Sequence, residues 1–264
     1  VMVVGALTAL CAVVASPAAA QDRWLVMVYV AADNDLEPEL VDQVRALVRA
    51  GTDPNVELLI QMDRQNGWRG DTEELGLPGL AGYTAGTRRF RVRAGSAEDV
   101  VNVGRIDSGS AGQLQSFLGW ALESARSAPG GTAHALILLG PGSGWRGALQ
   151  DTSLRTASAM SARQIQGAIS AAYDASEQWS ERHLELLAVG ASLFGTIENA
   201  AALSGGSPGA NLRLVLSEDV FPASGFDSTR WLGPVVAPDA DLAPPRGAQQ
   251  LPPHAHDDQG ISKH

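Results

Sequence analysis

Trp24-Leu25-Val26-Met27-Val28-Tyr29-Val30-Ala31-Ala32-Asp33-Asn34-Asp35-Leu36-Glu37 decides how this chain folds. Its first half is an unbroken apolar run, too short to cross a bilayer and too continuous for a strand with one wet face. It therefore reads as a strand buried on both sides. The polar residues that follow start a helix, with Asn34 as its cap and Glu37 reaching back as the capping-box partner. That helix carries Leu36, Leu40, Val44 and Leu47 on one face and stops near Gly51. Helix capping and the favourable charge of acidic groups at a helix start account for Asp33 and Asp35.

Outward from this unit the same alternation continues. Short apolar runs predict further strands over 56–62, 87–92, 133–139, 184–189 and 212–216, and longer amphipathic patterns predict helices over 113–125 and 161–173. The expected architecture is α/β: a mostly parallel six-stranded sheet with helices on both faces. Upstream, residues 1–14 are small and apolar, and Ser16-Pro17-Ala18-Ala19-Ala20 supplies an Ala-x-Ala site. We expect 1–20 to be an export signal, 21–237 a single domain and the protein to be periplasmic or extracellular. No later segment is apolar for the length of a membrane span. Downstream, Pro238, Pro244-Pro245 and Pro252-Pro253 interrupt a polar stretch, so 238–264 is expected to be a disordered tail.

A net charge of −10 and a pI near 4.9 argue against nucleic acid or an anionic membrane as a partner. The single cysteine, Cys11, falls within the expected signal. Cleavage after Ala20 would leave no thiol for a disulfide, a thiolate metal site or a nucleophile.

In open parallel sheets, ligands gather beyond the carboxyl ends of the strands. The segments to read are therefore 31–35, 63–64, 140–145, 190–195 and 217–219. The opening segment quoted above resembles the first strand and helix start of the clostripain family of cysteine peptidases. Leu136-Ile137-Leu138-Leu139-Gly140-Pro141-Gly142-Ser143-Gly144-Trp145 resembles that family's catalytic-histidine strand, which usually ends Asp-His-Gly-Ser-Gly-Trp. Leu187-Ala188-Val189-Gly190-Ala191-Ser192-Leu193-Phe194-Gly195-Thr196-Ile197-Glu198 resembles its catalytic-cysteine strand, and Ser217-Glu218-Asp219 with Gly225-Phe226 a later Ser-Glu-Glu…Gly-Trp segment. The order and spacing of these blocks imply a caspase-like fold.

The departures fall on the chemistry. The family's histidine position is Pro141 and its cysteine position is Ser192, and Gly140 and Gly190 stand where aspartates precede them. A cysteine peptidase needs a thiolate and an imidazole that takes and returns a proton. Proline can do neither. Loss of a nucleophile or base typically costs about 10⁴- to 10⁶-fold in turnover. The backbone amides of Gly142 and Ser192 could still form an oxyanion hole. The resemblance thus implies a catalytically inactive homologue that keeps a peptide-binding cleft. The alternative is an active peptidase or serine-type hydrolase with a rearranged site using Ser192.

Substitute histidines are badly placed. His134 and His183 open their strands, and seven residues at ~3.3 Å each put His134 about 23 Å from Pro141. Both read as surface or strand-end residues. His254 and His256 beside Asp257-Asp258 could chelate a metal, but a solvated tail explains them as well. The run 140–144 lacks the Lys-Ser/Thr of a phosphate loop, and 190–195 misses the hydrolase elbow by one position. Glu218 and Asp219 suit a pocket for an Arg or Lys side chain, since the family favours cleavage after those residues. The expected partner is therefore a basic peptide or protein. No cofactor is required; the resemblance raises calcium, for which Asp33, Asp35 and Asp63 are the strand-end candidates without an assignable site.

Overall fold

β1 (Arg23–Ala32) is the middle strand of a seven-stranded sheet ordered β4-β3-β2-β1-β5-β8-β9. The computed structural model describes residues 23–50, 54–64, 75–126, 132–152, 158–179, 184–205 and 212–216. The remaining strands of this sheet are β2 (Val56–Arg64), β3 (Gly86–Arg93), β4 (Ser96–Gly104), β5 (Thr132–Leu139), β8 (Leu186–Gly190) and β9 (Arg213–Leu216). β1 pairs in parallel with β2 and β5, β5 with β8, and β8 with β9; β3 and β4 join antiparallel at one edge.

The continuous apolar run of β1 is needed because both its faces are covered. Leu25, Met27, Tyr29 and Ala31 point into one core with α2 (Ala111–Ser124), α3 (Ala162–Asp174) and α4 (Ile197–Ser204). Val26, Val28, Val30 and Ala32 alternate into a second core under α1 (Glu37–Ala50). β5 divides the same way, Leu136 and Leu138 to the first core and Ala135, Ile137 and Leu139 to the second. Each such aliphatic side chain contributes about 1.5–3 kcal/mol on burial, so the two cores fix which strand face meets which helices.

The predicted helices on both faces are present, and the strand count is corrected from six to seven. The added strand, β4, is an edge strand with Val100 and Val101 exposed, so it lacks the apolar pattern of its neighbours. It returns from β3 through Ala94-Gly95, both at positive φ (48° and 76°), the geometry of a tight two-residue hairpin. Near Asp99, itself at φ 52°, the β3–β4 register shifts, which marks a bulge. A separate two-stranded ribbon, β6 (Ala148–Asp151) with β7 (Ser158–Met160), lies next to the end of β1.

Two helix starts contrast. Ser161 caps α3 with a complete capping box: its hydroxyl accepts from the Gln164 amide and the Gln164 side chain accepts from Ser161. At α1 the expected box does not form. The Asn34 side chain accepts from Leu36 N at 3.0 Å and donates to Ala31 O and Gln150 O, tying β1 to β6. Glu37 instead accepts from Arg64 at 2.5 Å, both side chains fully buried, and Arg64 also donates to Tyr83 O. A buried guanidinium is a stronger claimant on the carboxylate than a backbone amide.

Candidate functional site

The carboxyl ends of β5 and β8 lie side by side, with Leu139 paired to Gly190 and Gly140 N donating to Gly190 O at 3.3 Å. Beyond them the Pro141 loop and the Ser192 turn meet. A Cβ on Gly142 would sit 2.6 Å from Ser192 O and 2.7 Å from Ser192 N, so only glycine permits this approach. Gly144 N donates to Ser192 O at 3.3 Å. The Asn199 side chain, on the first turn of α4, donates to Phe194 O and Gly144 O and clamps the two segments together. On the other side, Pro141 O accepts from Leu149 N and Gln150 N of β6. Leu193, next to Ser192, holds φ 57°, a conformation that costs a non-glycine residue about 1–2 kcal/mol.

The structure therefore brings the Pro141–Gly142 loop and the Ser192 turn together. Around them Trp145, Leu193 and Ile197 are exposed large apolar side chains, at 73%, 49% and 81% of their full accessibility. An adjoining open cavity of about 630 Å³ is lined by Trp145, Arg163, Thr196, Glu198 and Asn199 among others. That is within the usual size range of ligand clefts.

Pro141 and Ser192 are half-buried, and the described histidine, His134, belongs to the far end of β5. The expectation that His134 is a surface residue is corrected. It is fully buried, its Nδ1 is 2.7 Å from the Tyr173 hydroxyl, and its ring packs edge-on to Trp179 at 4.6 Å. It is a core histidine joining β5 to α3.

A second group of functional side chains gathers at the ends of β1, β2 and β6. Asp33, Asp63 and Asp151 are all buried, and one carboxylate oxygen from each lies within 4.8 Å of the others. The Thr87 hydroxyl donates to Asp63 Oδ1 at 2.6 Å. Asp63 Oδ2 is buried with no hydrogen-bond partner. The Ser108 amide donates to Asp151 at 2.9 Å. Burial raises the Asp63 carboxyl to about 7, against the lowering effect of the Thr87 hydrogen bond; Asp33 and Asp151 push it further up, and the Ser108 hydroxyl opposes them. An all-carboxylate donor set with a buried, unpartnered oxygen fits a hard divalent cation such as calcium.

Of the strand-end acids, then, Asp33 and Asp63 converge, while Asp35 is exposed and outside the group. Asp151 was missed because it lies on a four-residue strand with no periodic signal. Glu218 and Asp219, His183, and the tail pair His254 and His256 lie outside the described residues.

The fold is a caspase-like α/β fold: a mostly parallel sheet between helical layers, with its candidate cleft beyond the adjacent β5 and β8 ends. Two solved structures share it. One is a secreted C11 cysteine protease from Bacteroides thetaiotaomicron in complex with an irreversible peptide inhibitor, 16% identical, TM-score 0.57, with 83% of this chain and 55% of that one covered. The other is a secreted C11 cysteine protease from the same organism, iotapain, 14% identical, TM-score 0.56, covering 84% and 59%. C11 is the clostripain family that the sequence motifs resemble. At these identities the likeness is one of fold, and this chain spans somewhat more than half the length of each. No family model and no curated protein matches the chain.

Proposed function

We propose that this protein is an exported, catalytically inactive relative of the clostripain-type peptidases that binds a peptide in the old cleft without cutting it. The observation that carries this reading is the meeting of Pro141 and Ser192 at the adjacent ends of β5 and β8. The family resemblance places a histidine and a cysteine at these positions. Proline at the histidine position cannot act as the base that would activate the hydroxyl at the other. The apolar rim of Trp145, Leu193 and Ile197 supports peptide binding, and a structural neighbour holds a peptide inhibitor. Glu218 and Asp219 would make an Arg or Lys side chain the preferred guest. The Gly142 and Ser192 amides would cradle its carbonyl. Both neighbours are secreted, which agrees with reading 1–20 as an export signal. A serine-type hydrolase built on Ser192 draws no support from the described residues, whose histidine is committed to the core.

The test is a fluorogenic assay on Arg- and Lys-terminated peptides, run beside fluorescence anisotropy with the same peptides. The natural protein should bind Arg- or Lys-containing peptides above neutral controls and release no fluorophore. A Pro141→His/Ser192→Cys variant is the matched comparison. Gly140 is left unchanged in it, because a Cβ there would meet Ala31 O at 3.1 Å. Turnover by the natural protein, abolished by Ser192→Ala, would show that it is a working hydrolase.

A further inference from the structure

We propose that Arg88, Asn102 and Arg105, where β3 begins and β4 ends, form a binding site for a phosphoryl dianion. The site is independent of whether the cleft binds or cuts a peptide.

The chain carries a net charge of −10, so a place where positive charge stands alone asks for an explanation. An open cavity of about 320 Å³ is lined by Arg64, Gly86, Arg88, Asn102, Gly104 and Arg105 among others, with no acidic side chain in its wall. Arg64 is fully buried and held by Glu37 at 2.5 Å, so its charge is already answered. Arg88 and Arg105 differ from it. Neither forms an ion pair or a side-chain hydrogen bond with a described residue. Arg88 lies over the Tyr83 ring, 5.5 Å from its centre, which steadies the guanidinium without neutralising it. That ring is itself fixed, because the Tyr83 hydroxyl donates to Met62 O and Gly86 O. Asp63, on the neighbouring strand, turns to the opposite face of the sheet to meet Thr87.

A second arginine-lined cavity, of about 470 Å³, shows what a structural use of these side chains looks like. Arg91, Arg93 and Arg126 are three of the four arginines lining it, at the other end of β3. There Arg91 meets Glu57 and Asp99, Arg93 meets Glu98, and Arg126 meets Asp99. Those guanidiniums hold segments of the fold together and have their counter-charges. At Arg88 and Arg105 no described residue supplies one, and a ligand can.

The donors select that ligand. Each guanidinium offers a planar fork of N–H groups. Asn102 accepts from Gly104 N through Oδ1 at 3.0 Å, which keeps its Nδ2 hydrogens to give. A wall of donors suits an oxyanion. Two uncompensated positive charges match the charge of about −1.5 to −2 on a phosphate monoester, with its three acceptor oxygens. A carboxylate or a sulfate ester brings only a single charge. A Cβ on Gly104 would meet nothing within 4 Å, so an approaching group finds open space. The site opens at the carboxyl end of β2, but four strand spacings, about 19 Å, separate it from the β5–β8 junction.

The experiment titrates phenyl phosphate, phenyl sulfate, acetate and inorganic phosphate into the full chain by calorimetry, at pH 7.5 and low salt. Phenyl phosphate should bind with a dissociation constant of about 1 mM or tighter, and at least about tenfold better than phenyl sulfate or acetate. Inorganic phosphate binding equally well would support the site with free phosphate as its ligand; weaker binding would support it with an esterified one. Arg105→Gln and Arg88→Gln should each weaken phenyl phosphate by at least about tenfold. Hydrogen exchange should slow at 86–88 and 102–105 when it binds. Should Arg88→Gln fail to fold, the exposed Arg105 and the exchange map of the natural protein decide. No binding at about 10 mM, phenyl sulfate binding as well as phenyl phosphate, a folded Arg105→Gln that binds like the natural protein, or protection confined to the Arg91 cavity or the cleft would each overturn the proposal.

Discussion

Two clusters share the carboxyl end of one sheet, and they have opposite characters. At β5 and β8 the backbone is held in a demanding arrangement by Gly142, Leu193 and Asn199, around the half-buried Pro141 and Ser192. At β1 and β2 the backbone is ordinary strand, and only β6 is irregular, with Leu149 at φ 62°, while Asp33, Asp63 and Asp151 concentrate ionisable groups out of water. Backbone constraint dominates one side and buried charge the other. The difference separates two things a site needs: a path for the main chain, which small residues and clamps can hold by themselves, and side-chain reactivity, which a few substitutions can remove.

The comparison can be broken hardest through pH. An unfolded Asp63 titrates near 3.8 and the folded one near 7, so between those values the native state holds the extra proton. Stability is then fully present below about pH 4 and falls as pH rises towards 7, by on the order of 4 kcal/mol at 1.36 kcal/mol per unit. Metal-free protein should melt lower at pH 7.5 than at pH 5, and Asp63→Asn should flatten that slope. Parallel pH profiles for the two proteins would sink the claim that this acid carries the charge burden. On the other side, Gly142→Ala should cost about 1–3 kcal/mol, because its Cβ must displace the Ser192 backbone. A denaturant midpoint unchanged by that substitution would mean the two segments are not held in contact. The smallest effect is expected at Leu193→Gly. Relief of positive φ should leave stability unchanged or raise it by up to about 1 kcal/mol. A clear loss would show that the exposed Leu193 side chain is packed after all.

Much of the fold was legible because the chain is consistent where both sheet faces are buried. β1 and β5 are apolar on successive residues since each face meets helices. Legibility failed where tertiary partners override local pattern. Glu37 looked like a capping residue until Arg64, on the next strand, claimed it. β4 was hidden by its exposed valines and carried only one signal, the Ala94-Gly95 turn. His134 was read as a strand-end residue, since nothing near it in sequence announces Tyr173 and Trp179. In the candidate site, Pro141 and Ser192 were singled out by their place in motifs. Asp151 could not be, because its meaning lies in where the β6 ribbon folds back.

The irregular edge at β4 has a consequence for how copies of this molecule treat one another. A straight, apolar border would invite a neighbour to zip on and continue the ladder. Here the register slips near Asp99, and the acids Glu98 and Asp99 sit beside the exposed Val100 and Val101. A second copy docking edge to edge would have to align its amides across a kink and disturb the ion pairs of Glu98 with Arg93 and of Asp99 with Arg91 and Arg126. That border is a poor template for another strand.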